Sequence, residues 1–288
     1  MPQGHGSERW PAMEAERWHR PARWQSGPRL VSSHNLYLVE RGRLAFQGVS
    51  GRWVASAGQI LLAPRGTRHE LAADDGPCGV LVLRIRLSGL GLQVEADAQA
   101  WELLLALARH VHSHGPLLAV GRRTGAAISA SVAQVLTEQR HRRPGRLCRV
   151  KARVMDVIAD VAGAVLDGSE AVPSSPSASF HGIRRVIEHI ERDYASSLGV
   201  QQAAQMAGLR RSQFHAAFRN YTGLTLVDYL TRVRIGEACR RLRDSPDSVL
   251  QVAMQCGFGS LSRFYEAFQG IVRMSPGQWR QRLVATAP

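Results

Sequence analysis

The chain has 288 residues, a hydrophobic content of 44% and a charged content of 21%, the balance of an ordinary globular protein long enough for two separately cored domains. Its formal net charge of +14 favours a polyanionic partner such as nucleic acid, but Lys151 is the only lysine, and such an arginine bias also reflects genome composition. Composition further excludes a membrane span of roughly 20 apolar residues, a signal peptide, and, with Cys78, Cys148, Cys239 and Cys256 far apart, a disulfide framework or zinc site. A cytoplasmic protein without cofactor is expected.

Residues 1–28 mix Pro, Gly, Arg and Trp without a clear period, and we read them as an N-terminal arm held by its tryptophans. From 29 to 95 short apolar runs alternate with turn signals. His34–Val39 stops at Arg41-Gly42, Leu44–Phe46 stops before Gly48, and Gln59–Leu62 stops at Pro64. Gly79–Leu87 alternates two faces. Strands at this spacing predict a small sandwich or barrel. The segment Gly58-x5-Pro64-x-Gly66-x2-His69 resembles the second motif of the cupin barrel, which implies a barrel whose interior takes a small organic effector. A transition metal would need several His and a carboxylate. Here Ala73 replaces the expected Asn and His34 stands alone, so no metal is expected. His69, Tyr37 and Arg84 are the candidate effector contacts. Arg84 and Arg86 share a strand face: turned inward they select an anion, turned outward they are solvated.

Residues 96–167 switch to helical spacing and form a helical dimerisation region. Trp101, Leu104, Leu105, Leu107, Ala108 and Val111 mark one helix, Ile128–Leu136 a second, and Val154, Val157, Ile158, Val161 and Val165 the stripe of a third. These faces suit a homodimer, and packing against the barrel explains them equally. The basic run from Arg140 to Arg146 is an interhelix loop, solvated or touching DNA. Residues 168–180, with Pro173 and Pro176 among serines, form a linker.

Residues 181–284 carry one plan twice. Val200, Ala204 and Gly208 recur as Val249, Ala253 and Gly257, and Phe214, Phe218 and Tyr229 recur as Phe264, Phe268 and Trp279. Each copy reads as a helix-turn-helix: a short helix with a small residue for close approach, a Gly that ends it, an apolar plug (Leu209, Phe258), then aromatics at i and i+4 on one helix face. That arrangement turns Arg211, Ser212, Gln213, His215 and Arg219 outward in the first copy. In the second it turns Ser260, Leu261, Ser262, Arg263, Tyr265 and Glu266 outward. An outward stripe on the second helix of such a motif is what enters a major groove.

The run Gly257–Phe268, the pair Ser275-Pro276, and Tyr229–Ala238 on the connecting helix resemble the DNA-binding domain of the AraC/XylS family over about the last third of the chain. The resemblance implies an α+β protein with a cupin-like sensor barrel, a helical segment and an all-α domain of two helix-turn-helix modules. It implies a sequence-specific regulator, an effector-responsive activator acting on double-stranded promoter DNA with RNA polymerase. Four residues depart from the pattern: Arg210 for a capping Ser or Thr, Ala203 for a larger apolar residue, Ala216 for a long polar reader, and Arg273 for Gly. The rival is a cupin enzyme with a regulatory DNA-binding tail. Without metal ligands, a Ser/His/Asp set or supported paired carboxylates, no catalytic residue is assigned.

Overall fold

A computed structural model of the chain describes residues 13–90, 98–141, 144–166 and 178–285. The strand punctuation yields β1 (Met13–Arg20), β2 (Gln25–Leu30), β3 (His34–Arg41), β4 (Arg43–Gly48), β5 (Arg52–Ser56), β6 (Gln59–Ala63), β7 (Arg68–Ala73) and β8 (Cys78–Ile85). After the single turn α1 (Leu87–Leu90) and the helix α2 (Ala98–His114), β9 (Leu117–Ala119) returns to the sheet. The cupin-like part is two antiparallel sheets, ordered β1-β8-β3-β6-β9 and β2-β7-β4-β5, and not one closed barrel.

The alternation in β8 is what lets one strand serve two cores. Val80 and Val82 face Tyr37, Leu44, Phe46 and Leu71 between the sheets. Leu81, Leu83 and Ile85 face the opposite way, under α3 (Arg122–Arg140) and α4 (Arg146–Leu166). Both faces of a central strand are thereby covered.

The arm needs correction. Residues 1–12 lie outside the described residues, but Met13–Arg20 is an edge strand paired antiparallel with β8. Its outer backbone is closed off by α3: Ala15 N donates to Gln139 Oε1 at 2.6 Å, and Gln139 Nε2 donates to Ala15 O at 3.2 Å. Such a clamp removes the open edge on which another chain would add. Arg20 sits over both Trp18 and Trp24, 4.8 and 4.7 Å from their ring centres.

The stripe of α4, from Val150 to Val165, is buried within the chain, so packing accounts for it. The side chains of Trp101 and Leu105, Arg142 and Arg143 of the basic run, and linker residues 168–177 lie outside what is described. The last domain comprises α5 (Ala178–Arg192), α6 (Val200–Ala207), α7 (Arg211–Thr222), α8 (Leu226–Asp244), α9 (Val249–Gln255), α10 (Leu261–Val272) and α11 (Pro276–Ala285). Helices α6–α7 and α9–α10 are the two modules, and α8 connects them.

The modules join the sensor differently. Ala203, Ala204, Phe214, Phe218 and Leu230 belong to the same apolar core as β8, α4 and α5. The second module has its own core of Ile235, Val252, Phe264, Phe268 and Trp279, joined by Leu30 of the sensor. At the first seam Arg65 Nη1 meets Glu191 Oε2 at 2.5 Å with both side chains buried. There α2 also stands against α7, with Arg109 5.6 Å from the Tyr221 ring centre.

Candidate DNA-binding surface and effector cavity

Both recognition helices are seated by the same hardware. The Phe214 and Phe218 rings are 5.4 Å apart, and Phe264 and Phe268 are 5.5 Å apart. Phe218 meets Tyr229 nearly edge-on at 5.6 Å, as Phe268 meets Trp279 at 6.5 Å. Gly208 and Gly257 take left-handed φ of +66° and +80°. At Gly257 a Cβ would lie 2.3 Å from Ala195 O, so both backbone angle and space demand glycine.

With the aromatics buried, Arg211, Ser212, His215 and Arg219 of α7 are exposed, and so are Leu261, Ser262, Arg263, Tyr265 and Glu266 of α10. Two of the expected contact residues are occupied elsewhere. Ser260 caps α10, its Oγ accepting from Arg263 N at 3.3 Å. Arg210 caps α7 with no side-chain bond; instead Gln213 Oε1 reaches back and accepts from Arg210 N at 3.2 Å. The half-formed box satisfies one backbone donor where a Ser or Thr cap would satisfy another.

A second feature lies where the open end of the two sheets meets the second module. A cavity of about 440 Å³ is lined by Trp18, Tyr37, Arg29 and Arg84 of the sheets, by Gly236 and Arg240 of α8 and by Trp279 of α11. Most of its cations are matched. Arg84 pairs with Glu16 at 2.8 Å and Glu14 at 3.4 Å, Arg86 and Arg240 share Glu237, and Arg243 pairs with Asp244. Arg29 differs: it meets no carboxylate among the described residues, and its guanidinium stands 5.7 Å from the Trp18 ring centre. Burial holds its pKa below the usual arginine value, and the nearby guanidiniums of Arg84, Arg20 and Arg243 act in the same direction. Among the described residues, therefore, no carboxylate neutralises this cation of the cavity wall, which is costly unless an anion joins it.

Tyr37 and Arg84 thus line the cavity as candidate contacts, whereas His69 lies behind the wall. A buried chain leads to it: Ser33 Oγ donates to Asn35 Oδ1 at 2.7 Å, and Asn35 Nδ2 donates to Tyr37 Oη at 3.0 Å. Tyr37 Oη is 3.2 Å from His69 Nε2. His69 also stacks on Phe46 at 4.5 Å. Burial, with Arg29 adding, pushes its pKa down to about 3. It is a neutral orienting group for Tyr37. Among the described residues no three His, Cys, Asp or Glu converge on a common point. Of the four free cysteines, Cys148 alone is exposed.

Sequence reasoning missed Arg29, Glu14 and Glu16 as cavity residues because they fell in or beside the supposed arm. The one signal was the Met-Glu-Ala-Glu alternation from Met13 to Glu16, a period-two pattern too short to act on alone.

A helix-turn-helix domain family matches residues 203–282. The Melibiose operon regulatory protein of Escherichia coli strain K12 is 32% identical over 107 residues, 37% of this chain and 35% of that protein. The HTH-type transcriptional activator RhaR of Klebsiella pneumoniae is 43% identical over 70 residues, 24% of this chain and 25% of that protein. The chain therefore spans about a third or less of these curated relatives. In three dimensions it is similar to ToxT from Vibrio cholerae, with a TM-score of 0.57 at 13% identity over 94% of this chain and 98% of that one. That likeness shows a shared fold of N-terminal antiparallel sheets and C-terminal helices. Over residues 203–282 the chain carries a helix-turn-helix domain similar to those of these transcription regulators.

Proposed function

We propose that this protein is a sequence-specific transcription regulator that reads two successive major-groove segments of double-stranded DNA and answers to an acidic small molecule. The observation that carries the reading is the pair of exposed polar faces on α7 and α10, each backed by a buried aromatic pair. Helix-turn-helix units repeated on one DNA face read half-sites about 34 Å, or roughly 10 base pairs, apart. Arg263 and His215 are the base readers, with Arg211 suited to guanine and Glu266 to cytosine N4. Arg219 holds phosphate.

The effector reading rests on Arg29 in the cavity wall. ToxT has been solved with an unsaturated fatty acid and with (E)-4-(8-methylnaphthalen-1-yl)but-3-enoic acid, both carboxylates on apolar bodies. A similar ligand suits the mixture of Arg29, Trp18 and Leu30 here. Activation through RNA polymerase and residence in the cytoplasm belong to the same proposal, which the naming of RhaR as an activator supports. A homodimer would use the outer faces of α3 and α4, since the α4 stripe is consumed inside the chain; light scattering at micromolar concentration decides it.

Selection of DNA from a random library by the full chain tests the core of the proposal. Arg263→Ala and His215→Ala each relax base preference in one of two half-sites, each bidentate contact being worth about 1–3 kcal/mol. Arg219→Ala weakens binding to all sequences alike and reduces the salt dependence. Selection of no sequence, or unaltered base preference in both reader variants, overturns the reading.

A further inference from the structure

We propose that the sensor holds a second ligand site, separate from the interdomain cavity, for a small neutral molecule with an apolar body and one hydrogen-bond acceptor, such as a short ketone. The site is a pocket of about 60 Å³ between the β1-β8-β3-β6-β9 sheet and the helices α2 and α4, enough for roughly four to six water-sized positions. Its walls include Leu36, Leu62 and Ile85 of the sheet, Leu104 and Val111 of α2, and Val157 of α4. Among the described residues only two polar side chains line it, His34 and Asn35. Asn35 is committed, its Oδ1 accepting from Ser33 and its Nδ2 donating to Tyr37.

His34 is committed on one side only. Its Nδ1 accepts from Arg65 N at 3.4 Å. Its Nε2 is buried and meets no hydrogen-bond partner among the described residues. Burial holds the pKa of His34 below the usual imidazole value, so the ring is neutral and its hydrogen sits on Nε2. A buried donor without an acceptor is costly, and an acceptor carried in on an apolar guest removes that cost. The charges that act on His34, Arg65 and Glu191, are paired with each other at 2.5 Å. Neither an anion nor a cation therefore finds a free counter-ion there among the described residues, and a neutral guest fits.

The pocket also adjoins the first module. The α2 helix that walls it carries Arg109, 5.6 Å from the Tyr221 ring centre of α7. It also carries His112, whose Nδ1 would lie 2.4 Å from a Cβ on Gly223 at the end of α7. A guest that steadies α2 steadies α7 with it. What this does to DNA rests on the regulator reading; the site does not.

Methyl-detected NMR of the full chain titrated with pentan-2-one tests the site. The ketone binds saturably and gives cross-peaks to Leu104, Val111 and Val157, and pentanoate binds these methyls at least tenfold more weakly. His34→Leu lowers the affinity for pentan-2-one relative to pentane about tenfold, the worth of one hydrogen bond to a buried donor. With the ketone at ten times its Kd, hydrogen exchange through opening of the pocket slows about tenfold in α2 and α7 and is unchanged in α9 and α10. No saturable binding, cross-peaks instead to Leu30 and Val31 of the interdomain cavity, equal binding of pentanoate at the same methyls, a ketone preference kept by His34→Leu, or equal slowing in α9 and α10 each overturns the inference. If the chain selects no DNA, the regulator reading falls, while these results still decide the site.

Discussion

Module one and module two bury their aromatic pairs almost alike, at 5.4 and 5.5 Å between ring centres, yet they are held to the protein by different means. The first shares a continuous core with the sensor and is pinned by the buried Arg65–Glu191 pair. The second touches the sensor through Leu30, through ion pairs about Glu237, and across the cavity. The same repeat is therefore held once through a core shared with the sensor and once through a core of its own. What separates them is which face of each module the sensor covers.

The largest test removes an aromatic from each core. Phe218→Ala and Phe268→Ala each cost about 3–5 kcal/mol. In calorimetry Phe218→Ala lowers sensor and first module together in one transition, whereas Phe268→Ala splits off an earlier transition for the second module. An early split-off transition in both variants breaks the comparison.

The seams differ in the same sense. Glu191→Gln strands the buried Arg65 charge and destabilises the chain by about 3–5 kcal/mol. Glu237→Gln costs less, because Arg240 retains Asp244 and Arg86 keeps access to solvent. Urea unfolding ranks the two, and a larger loss for Glu237→Gln removes the distinction.

Acid separates the two parts from the sensor's side. His69 is neutral when folded, with a pKa about 3, while its unfolded value is about 6.5. The unfolded chain then binds the extra proton between these values, so stability is full above pH 6.5 and falls as pH drops towards 3, by about 1.4 kcal/mol per pH unit. His34, also held low chiefly by burial, adds in the same direction. His69→Gln removes the His69 part of the slope. The dependence belongs to the transition shared by sensor and first module; a slope confined to the second module's transition contradicts it.

The smallest test concerns a turn. Gly223 and Arg273 end α7 and α10 with φ of +73° and +63°. A left-handed arginine costs roughly 1–2 kcal/mol, so Arg273→Gly stabilises the second module by about 1 kcal/mol in thermal unfolding. Gly223→Ala does the reverse and more, since its Cβ would lie 2.4 Å from His112 Nδ1. Loss of stability in Arg273→Gly would point to an added role for that side chain.

The sequence by itself determined the twin modules, because their evidence is local. Aromatics at i and i+4, a small residue in the preceding helix and a turn glycine are each required within one module, so the pattern repeats with the structure. It likewise marked the strands whose alternation is apolar, such as β8. It did not reveal β1, where Glu14 and Glu16 look solvated until Arg84 from a distant strand neutralises them. Nor did it place Gln213 and Ser260 at the caps, since a polar side chain near a helix start serves backbone or DNA equally well until its geometry is fixed. The cavity was decided by tertiary structure alone. Arg29 matters there because the carboxylates around it are spent on other arginines, a balance that exists only once β1, β2, β8 and α8 are brought together.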